Sequence, residues 1–128
     1  MLNQAVINLR TLKRNAQNVK KQLPSKTKLC AVVKANAYGH GAEEVANALY
    51  QIADYFAVTL VEEGVALRLS GIDKPILVLI PVDRSEIERA ISYSLSLAVD
   101  SDEGVKEIER VARKLRLKAH LHVKLIRE

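Results

Sequence analysis

The sequence predicts an α/β fold, a parallel sheet of about five strands with alternating helices and an extra helix at the N-terminal end. Three observations carry this. Short apolar runs rich in Val, Ile and Leu recur along the chain. Stretches with helical spacing or helix-forming composition lie between them. The connections are short, as they are in sheets built from strand–helix–strand units.

The elements follow in order. Residues 8–23 place Leu9, Leu12, Ala16, Val19 and Leu23 near a period of about 3.6, which predicts a helix, and Pro24 and Ser25 stop it. Residues 29–33 form a Val-rich run that suits a strand buried on both faces. Residues 42–52 are alanine-rich and favour a helix. A strand over 55–59, a helix over 61–69, a turn at "GID" and a strand over 75–79 come next. Asp83 or Ser85 caps a helix that runs to about Ile91, and residues 95–99 form the fourth strand. Asp100 or Ser101 caps a helix over 103–115, where Glu107 and Val111, or Ile108 and Ala112, share a face. Residues 117–125 read as a fifth strand, with Ala119, Leu121 and Val123 on one face and His120, His122 and Lys124 on the other.

Two closures fit this alternation: a doubly wound open sheet, or part of a (β/α)8 barrel. A full barrel takes about 250 residues. The 128 residues here have room for about half of one.

Composition narrows the function classes. With 48% apolar and 27% charged residues the chain is an ordinary globular sequence, not a disordered one. Aromatics are 4% and Trp is absent, which argues against a nucleic-acid partner held by base stacking. The net charge of +5 is mild; its clusters, "LKRNAQNVKK" and "RVARKLRLK", read as solvated helix faces. The single cysteine, Cys30, excludes an intramolecular disulfide and is expected to be a small buried hydrophobe. The chain shows neither a signal-peptide pattern nor an apolar run of spanning length, so no membrane partner is expected and the cytoplasm is the default location.

The stretch "CAVVKANAYGHG" places Lys34 at the C-terminal end of the first strand. In parallel α/β folds that edge is where ligands bind. Desolvation there disfavours an ammonium ion and makes the amine a better nucleophile towards carbonyls, as a Schiff-base lysine requires. A lysine that snorkels at the strand end fits the spacing as well. Gly39 and Gly41 permit close backbone approach. The Tyr38 hydroxyl can donate to a phosphate oxygen, and His40 reads as a base, an orienting group or a structural hydrogen-bonder.

"AVVKANAYGHG" closely resembles the pyridoxal-phosphate attachment motif of the alanine racemase family. "INLRTLKRNAQNVKKQL" resembles the family's first helix, and "YFAVTLVEEGVALRLSGIDKPILVL" its next strand–helix–strand segment. "HLHVK" resembles a later strand that carries a second functional lysine. The resemblance implies a pyridoxal 5′-phosphate-binding (β/α)8 barrel followed by a C-terminal β-domain. It also implies a homodimer that interconverts L-alanine and D-alanine, supplying D-alanine for the cell wall. Lys34 would carry the cofactor as a Schiff base, and its released amine would act as one of two acid–base groups. Tyr38 would contact the cofactor phosphate and Leu79 would line the cofactor pocket. Lys124 matches a lysine that many members carry as a carbamate; without the resemblance it reads as an ordinary strand-end lysine.

The family continues after "HLHVK" with a "DTG" segment and an arginine, whereas this sequence reads "LIRE". Arg127 lies too early to stand for that arginine. No tyrosine here matches the second base, which the family takes from a partner's C-terminal domain. The expectation is therefore that residues 1–128 are the N-terminal part of a racemase barrel, carrying the Schiff-base half-site and inactive alone. The open sheet edges should drive self-association. The competing expectation is a non-catalytic pyridoxal-phosphate carrier, which shares the barrel and the lysine.

Overall fold

The computed structural model of the chain describes residues 3–125; Arg127 lies outside them. The elements are α1 (Leu9–Gln22), β1 (Cys30–Val32), α2 (Lys34–Tyr38), α3 (Ala42–Leu49), β2 (Tyr55–Val58), α4 (Val61–Leu69), β3 (Ile76–Val78), α5 (Arg84–Ser92), β4 (Ser96–Val99), α6 (Asp102–Leu115) and β5 (Leu121–Val123). Side chains settle where three helices begin. Asn8 accepts from Thr11 N at 3.0 Å, Asp83 from Ser85 N at 3.1 Å, and Ser101, rather than Asp100, from Gly104 N at 3.1 Å.

The five strands pair in parallel in the order β1-β2-β3-β4-β5. A doubly wound sheet reverses its strand order at a switch point. Here there is no reversal. Right-handed crossovers between successive neighbours put the crossover helices α3, α4, α5 and α6 on one face of the sheet, which is how a (β/α)8 barrel is wound. The sheet is thus a barrel segment, not a doubly wound one.

The register sorts the side chains. On the helix side Phe56 lies beside Ile76, Val58 beside Val78, and Val78 beside Leu97. All five are fully buried, in one cluster with Val45, Leu67, Ile87, Ile91, Ile108 and Val111 from the helices. On the other side Ala57 lies between Val32 and Leu77, and Ala98 beside His122. The rings of Tyr55 and His122 meet edge to face with centroids 6.3 Å apart. β2 and β5 are three strand spacings apart, about 14 Å on a flat sheet. The contact therefore requires the sheet to curl towards this side, as a barrel wall does.

Several expectations need correction. β1 is not buried on both faces: Val33 is 1% exposed but Val32 is 45% exposed, and Cys30 is exposed. Cys30 and Val32 sit on an edge strand and face the inner side of the curl, which no layer covers among the described residues. Partial desolvation still pushes the Cys30 thiol above its ordinary value, so it is not an activated thiolate. β5 is a three-residue ladder rather than a strand over 117–125, and all of it is exposed because it pairs on one side only. α3 stops at Leu49, where the N–H groups of Ile52 and Ala53 both turn back to Leu49 O at 2.9 Å. α1 contributes only partly buried residues, Leu9, Leu12 and Ala16, and Val19 is 50% exposed. In α6 the buried face is Ile108, Val111 and Ala112, while Glu107 pairs with Arg110 at 2.7 Å. Among the described residues, no helix is long and apolar enough to cross a membrane.

Charged side chains tie together the N-terminal end of the sheet. Arg68 donates to four carbonyls, those of Tyr93, Ile72, Lys74 and Ser94, at 2.9, 2.8, 2.7 and 3.0 Å. It thereby joins the turns that lead into β3 and β4. The Asp54 carboxylate accepts from Leu29 N at 2.7 Å and from Lys20 Nζ at 3.1 Å, and Lys20 also reaches Ile52 O at 2.6 Å. This fastens α1 to the start of β1.

Two predictions follow from these contacts. Arg68→Ala should cost about 2–4 kcal/mol in urea denaturation, and Arg68→Lys should recover little of it, because an ammonium cannot fork to four carbonyls. Asp54 is held below its ordinary value by the Leu29 N–H first and the Lys20 ammonium second. Its stabilisation is present above the unfolded carboxylate value of about 3.9 and is lost as pH falls through the lower folded value. Urea midpoints measured across acid pH should fall less steeply in Asp54→Asn than in the wild type.

Candidate active site

The C-terminal edge of the sheet is shaped by the segment that follows β1. The ladder ends when Val33 N–H donates to Ala57 O at 2.9 Å. The chain then leaves the sheet through α2, and this turn is left-handed. Ala35, Asn36, Ala37 and Tyr38 have φ of 51°, 54°, 54° and 54°. Sequence patterning gives only a glycine-containing loop here, not a left-handed turn. Such a conformation costs L-residues about 1–2 kcal/mol each, so four in a row need specific support.

The support comes from hydrogen bonds. Ala37 N–H donates to Val33 O at 3.0 Å, and His40 N–H to Ala37 O at 3.1 Å. Gly39 and Gly41 N–H both donate to Asn36 O, at 3.2 and 3.0 Å. The Asn36 side-chain oxygen accepts from Ala42 N at 2.8 Å, so one residue bends the chain and serves the first turn of α3. Asn tolerates the left-handed region better than most residues. Gly39 and Gly41, at φ 90° and 89°, carry the chain out of the turn. The Nδ1 of His40 lies 3.1 Å from Ala37 O; a carbonyl only accepts, so Nδ1 is the donor in this contact.

Glu63 provides a contact from outside the segment. Its Oε1 accepts from Thr59 N at 3.0 Å and Leu60 N at 2.7 Å, at the start of α4. Its Oε2 accepts from Ala35 N at 2.8 Å. Neither Glu63 nor Asn36 stands out in the sequence as a site residue. The available signal for Glu63 was a glutamate at the third position of a helix that follows a strand, the reciprocal arm of a capping box.

Lys34 sits half-buried at the foot of this turn, and Tyr38 is 67% exposed at its far end. A side chain at Gly39 would meet nothing within 4 Å, so the space beside the turn is open. Leu79 is half-buried just past β3, its N–H bonded to Val58 O at 2.8 Å. These three residues share the C-terminal edge on β1 and β3. Lys124 lies at the same edge, exposed, with its N–H on Val99 O at 2.8 Å. It is on the far edge strand, four strand spacings from β1, or about 19 Å on a flat sheet. A cleft of about 220 Å³ also opens at this end, beside α5 and α6. Asp100, Glu103 and Glu107 outnumber Arg84 in its lining, a balance unfavourable to a phosphate.

Along one sheet edge the arrangement offers an amine, the type of group that condenses with an aldehyde, a phenol that can donate to a phosphate oxygen, and an aliphatic side chain. That donor set fits pyridoxal 5′-phosphate at its reactive end. Asn36→Ala should cost about 1–2 kcal/mol in urea denaturation, through the lost Ala42 hydrogen bond and a poorer left-handed residue.

Comparison with known proteins identifies the family of this fold. The family described as alanine racemase, N-terminal domain, matches residues 7–126. An alanine racemase of Streptococcus uberis is 40% identical over 121 residues, which are 94% of this chain and 33% of that protein. Alanine racemase 2 of Bacillus subtilis is 39% identical over 91% of this chain and 31% of its own length. The solved structure of the Clostridium difficile 630 alanine racemase in complex with cycloserine superposes with a TM-score of 0.83 at 40% identity, covering 92% of this chain and 31% of that one. The chain spans about one third of the length of the curated relatives it matches. By its strand order, its lysine-bearing motif and this match, the chain belongs to the alanine racemase N-terminal domain family.

Proposed function

We propose that residues 1–128 are the first part of the barrel domain of a pyridoxal 5′-phosphate-dependent alanine racemase and carry the lysine half of its site. The observation that carries this reading is a half-buried Lys34 at the C-terminal edge of β1, followed by a left-handed turn that leaves the Tyr38 hydroxyl free. Pyridoxal 5′-phosphate, when bound, supplies an aldehyde for a lysine amine and a conjugated ring that stabilises the charge left when a Cα proton departs.

The chain's own residues then have separate tasks. Lys34 would hold the cofactor through its Nζ, and its amine, when free, would take or return a proton at the substrate Cα on one face. Tyr38 would donate its O–H to a phosphate oxygen, and Leu79 would line the cofactor pocket. Lys124, as a carbamate, would present an anion at the same sheet edge. Racemisation needs a second group on the opposite face, so this half-site is proposed to hold the cofactor without turning over alanine by itself. The whole protein is proposed to act as a cytoplasmic homodimer that interconverts L- and D-alanine for the cell wall.

The test is spectroscopic. Addition of pyridoxal 5′-phosphate to the chain should produce a visible absorbance band of lysine-bound cofactor. Lys34→Ala should abolish that band, and Tyr38→Phe should weaken binding without abolishing it. A band of undiminished strength in Lys34→Ala would overturn the assignment.

A further inference from the structure

We propose that Glu63 is a positioning residue for Lys34. By holding the Ala35 N–H, it sets the direction in which the Lys34 side chain leaves the sheet. The proposal rests on the reading of Lys34 as the cofactor-holding lysine.

The geometry divides the carboxylate between two tasks. Oε1 serves the start of α4 through Thr59 N and Leu60 N at 3.0 and 2.7 Å. Oε2 reaches Ala35 N, 28 positions away in sequence, at 2.8 Å. The start of α4 needs only the first oxygen. The second acts on the residue immediately after Lys34.

The backbone on either side of Lys34 is therefore pinned to its neighbours. Val33 N–H is held by Ala57 O at 2.9 Å, and Ala35 N–H by Glu63. Ala35 is also the first residue of the left-handed turn, at φ 51°. Glu63 thus bonds at the point where the chain first takes up the unfavourable conformation. Without it the turn loses a side-chain hydrogen bond from a neighbouring strand–helix unit, and the Cα–Cβ direction of Lys34 is free to drift. A lysine has a long flexible stem, so fixing where that stem starts is the means by which the fold limits where Nζ can reach.

The division between the two oxygens makes the proposal separable from ordinary stability. Only a carboxylate presents two acceptor oxygens. In Glu63→Gln the amide oxygen can keep the two bonds at the start of α4, where Gln serves as well as Glu. Its NH2 group then faces the Ala35 N–H and cannot accept from it.

The test compares the full chain as wild type, Glu63→Gln and Glu63→Ala in three measurements. These are the urea midpoint, hydrogen exchange of the Ala35 amide by NMR, and capture of pyridoxal 5′-phosphate by Lys34, trapped with borohydride and located by peptide mass spectrometry. Glu63→Gln should keep a urea midpoint close to wild type. Its Ala35 amide should exchange about tenfold faster, and capture at Lys34 should fall about tenfold relative to the other lysines. Glu63→Ala should show both losses together with a lower midpoint. Wild-type capture in Glu63→Gln overturns the proposal, whether or not Ala35 exchange has quickened, because Glu63 would then serve the fold alone. A wild-type chain that labels its lysines indiscriminately overturns the reading of Lys34 itself, and the proposal falls with it.

Discussion

Parallel pairing of the strands in chain order is the constraint from which the other features descend. Each crossover must return to the next position in the sheet with the same hand, so the crossover helices accumulate on one side. That side becomes the packed face, where Phe56, Val58, Ile76, Val78 and Leu97 meet the helices. The other side carries Ala57 and Ala98, and it curls until Tyr55 and His122 touch. Side-chain alternation along a strand ties the two faces together, because a slip of one residue would exchange their contents.

The same winding separates the two ends of the sheet. Chain turns at the N-terminal end are gathered by side chains that satisfy carbonyls and pair charges: Arg68 on four carbonyls, and Lys20 with Asp54. Every one of these groups has partners, and the arrangement favours stability. At the C-terminal end the chain instead adopts an unfavourable left-handed turn and holds it with Asn36 and Glu63. Strain maintained by dedicated hydrogen bonds marks a place where geometry has a use beyond folding. Lys34 is the residue that this turn follows.

Local sequence determined a good deal. The alternation of Val-rich runs with helical stretches established the element order, and the position of Lys34 at a strand end follows from it. Asp83 and Ser101 are cap residues by local chemistry alone, which is why both stood among the candidates, and Asn8 caps α1 by the same chemistry. The resemblance of "AVVKANAYGHG" to a family motif pointed to pyridoxal 5′-phosphate, which spacing alone did not. Tertiary structure decided the rest, because each remaining feature depends on groups far apart in the chain. Strand order, and with it the choice of a barrel segment over a doubly wound sheet, is a matter of pairing rather than pattern. The exposure of Cys30 and Val32 depends on what lies over an edge strand, not on how apolar the strand is. The left-handed turn has no compositional signature, since alanine and tyrosine do not favour it. Part of its support comes from Glu63, 28 positions beyond Ala35, which the fold carries to the neighbouring strand end.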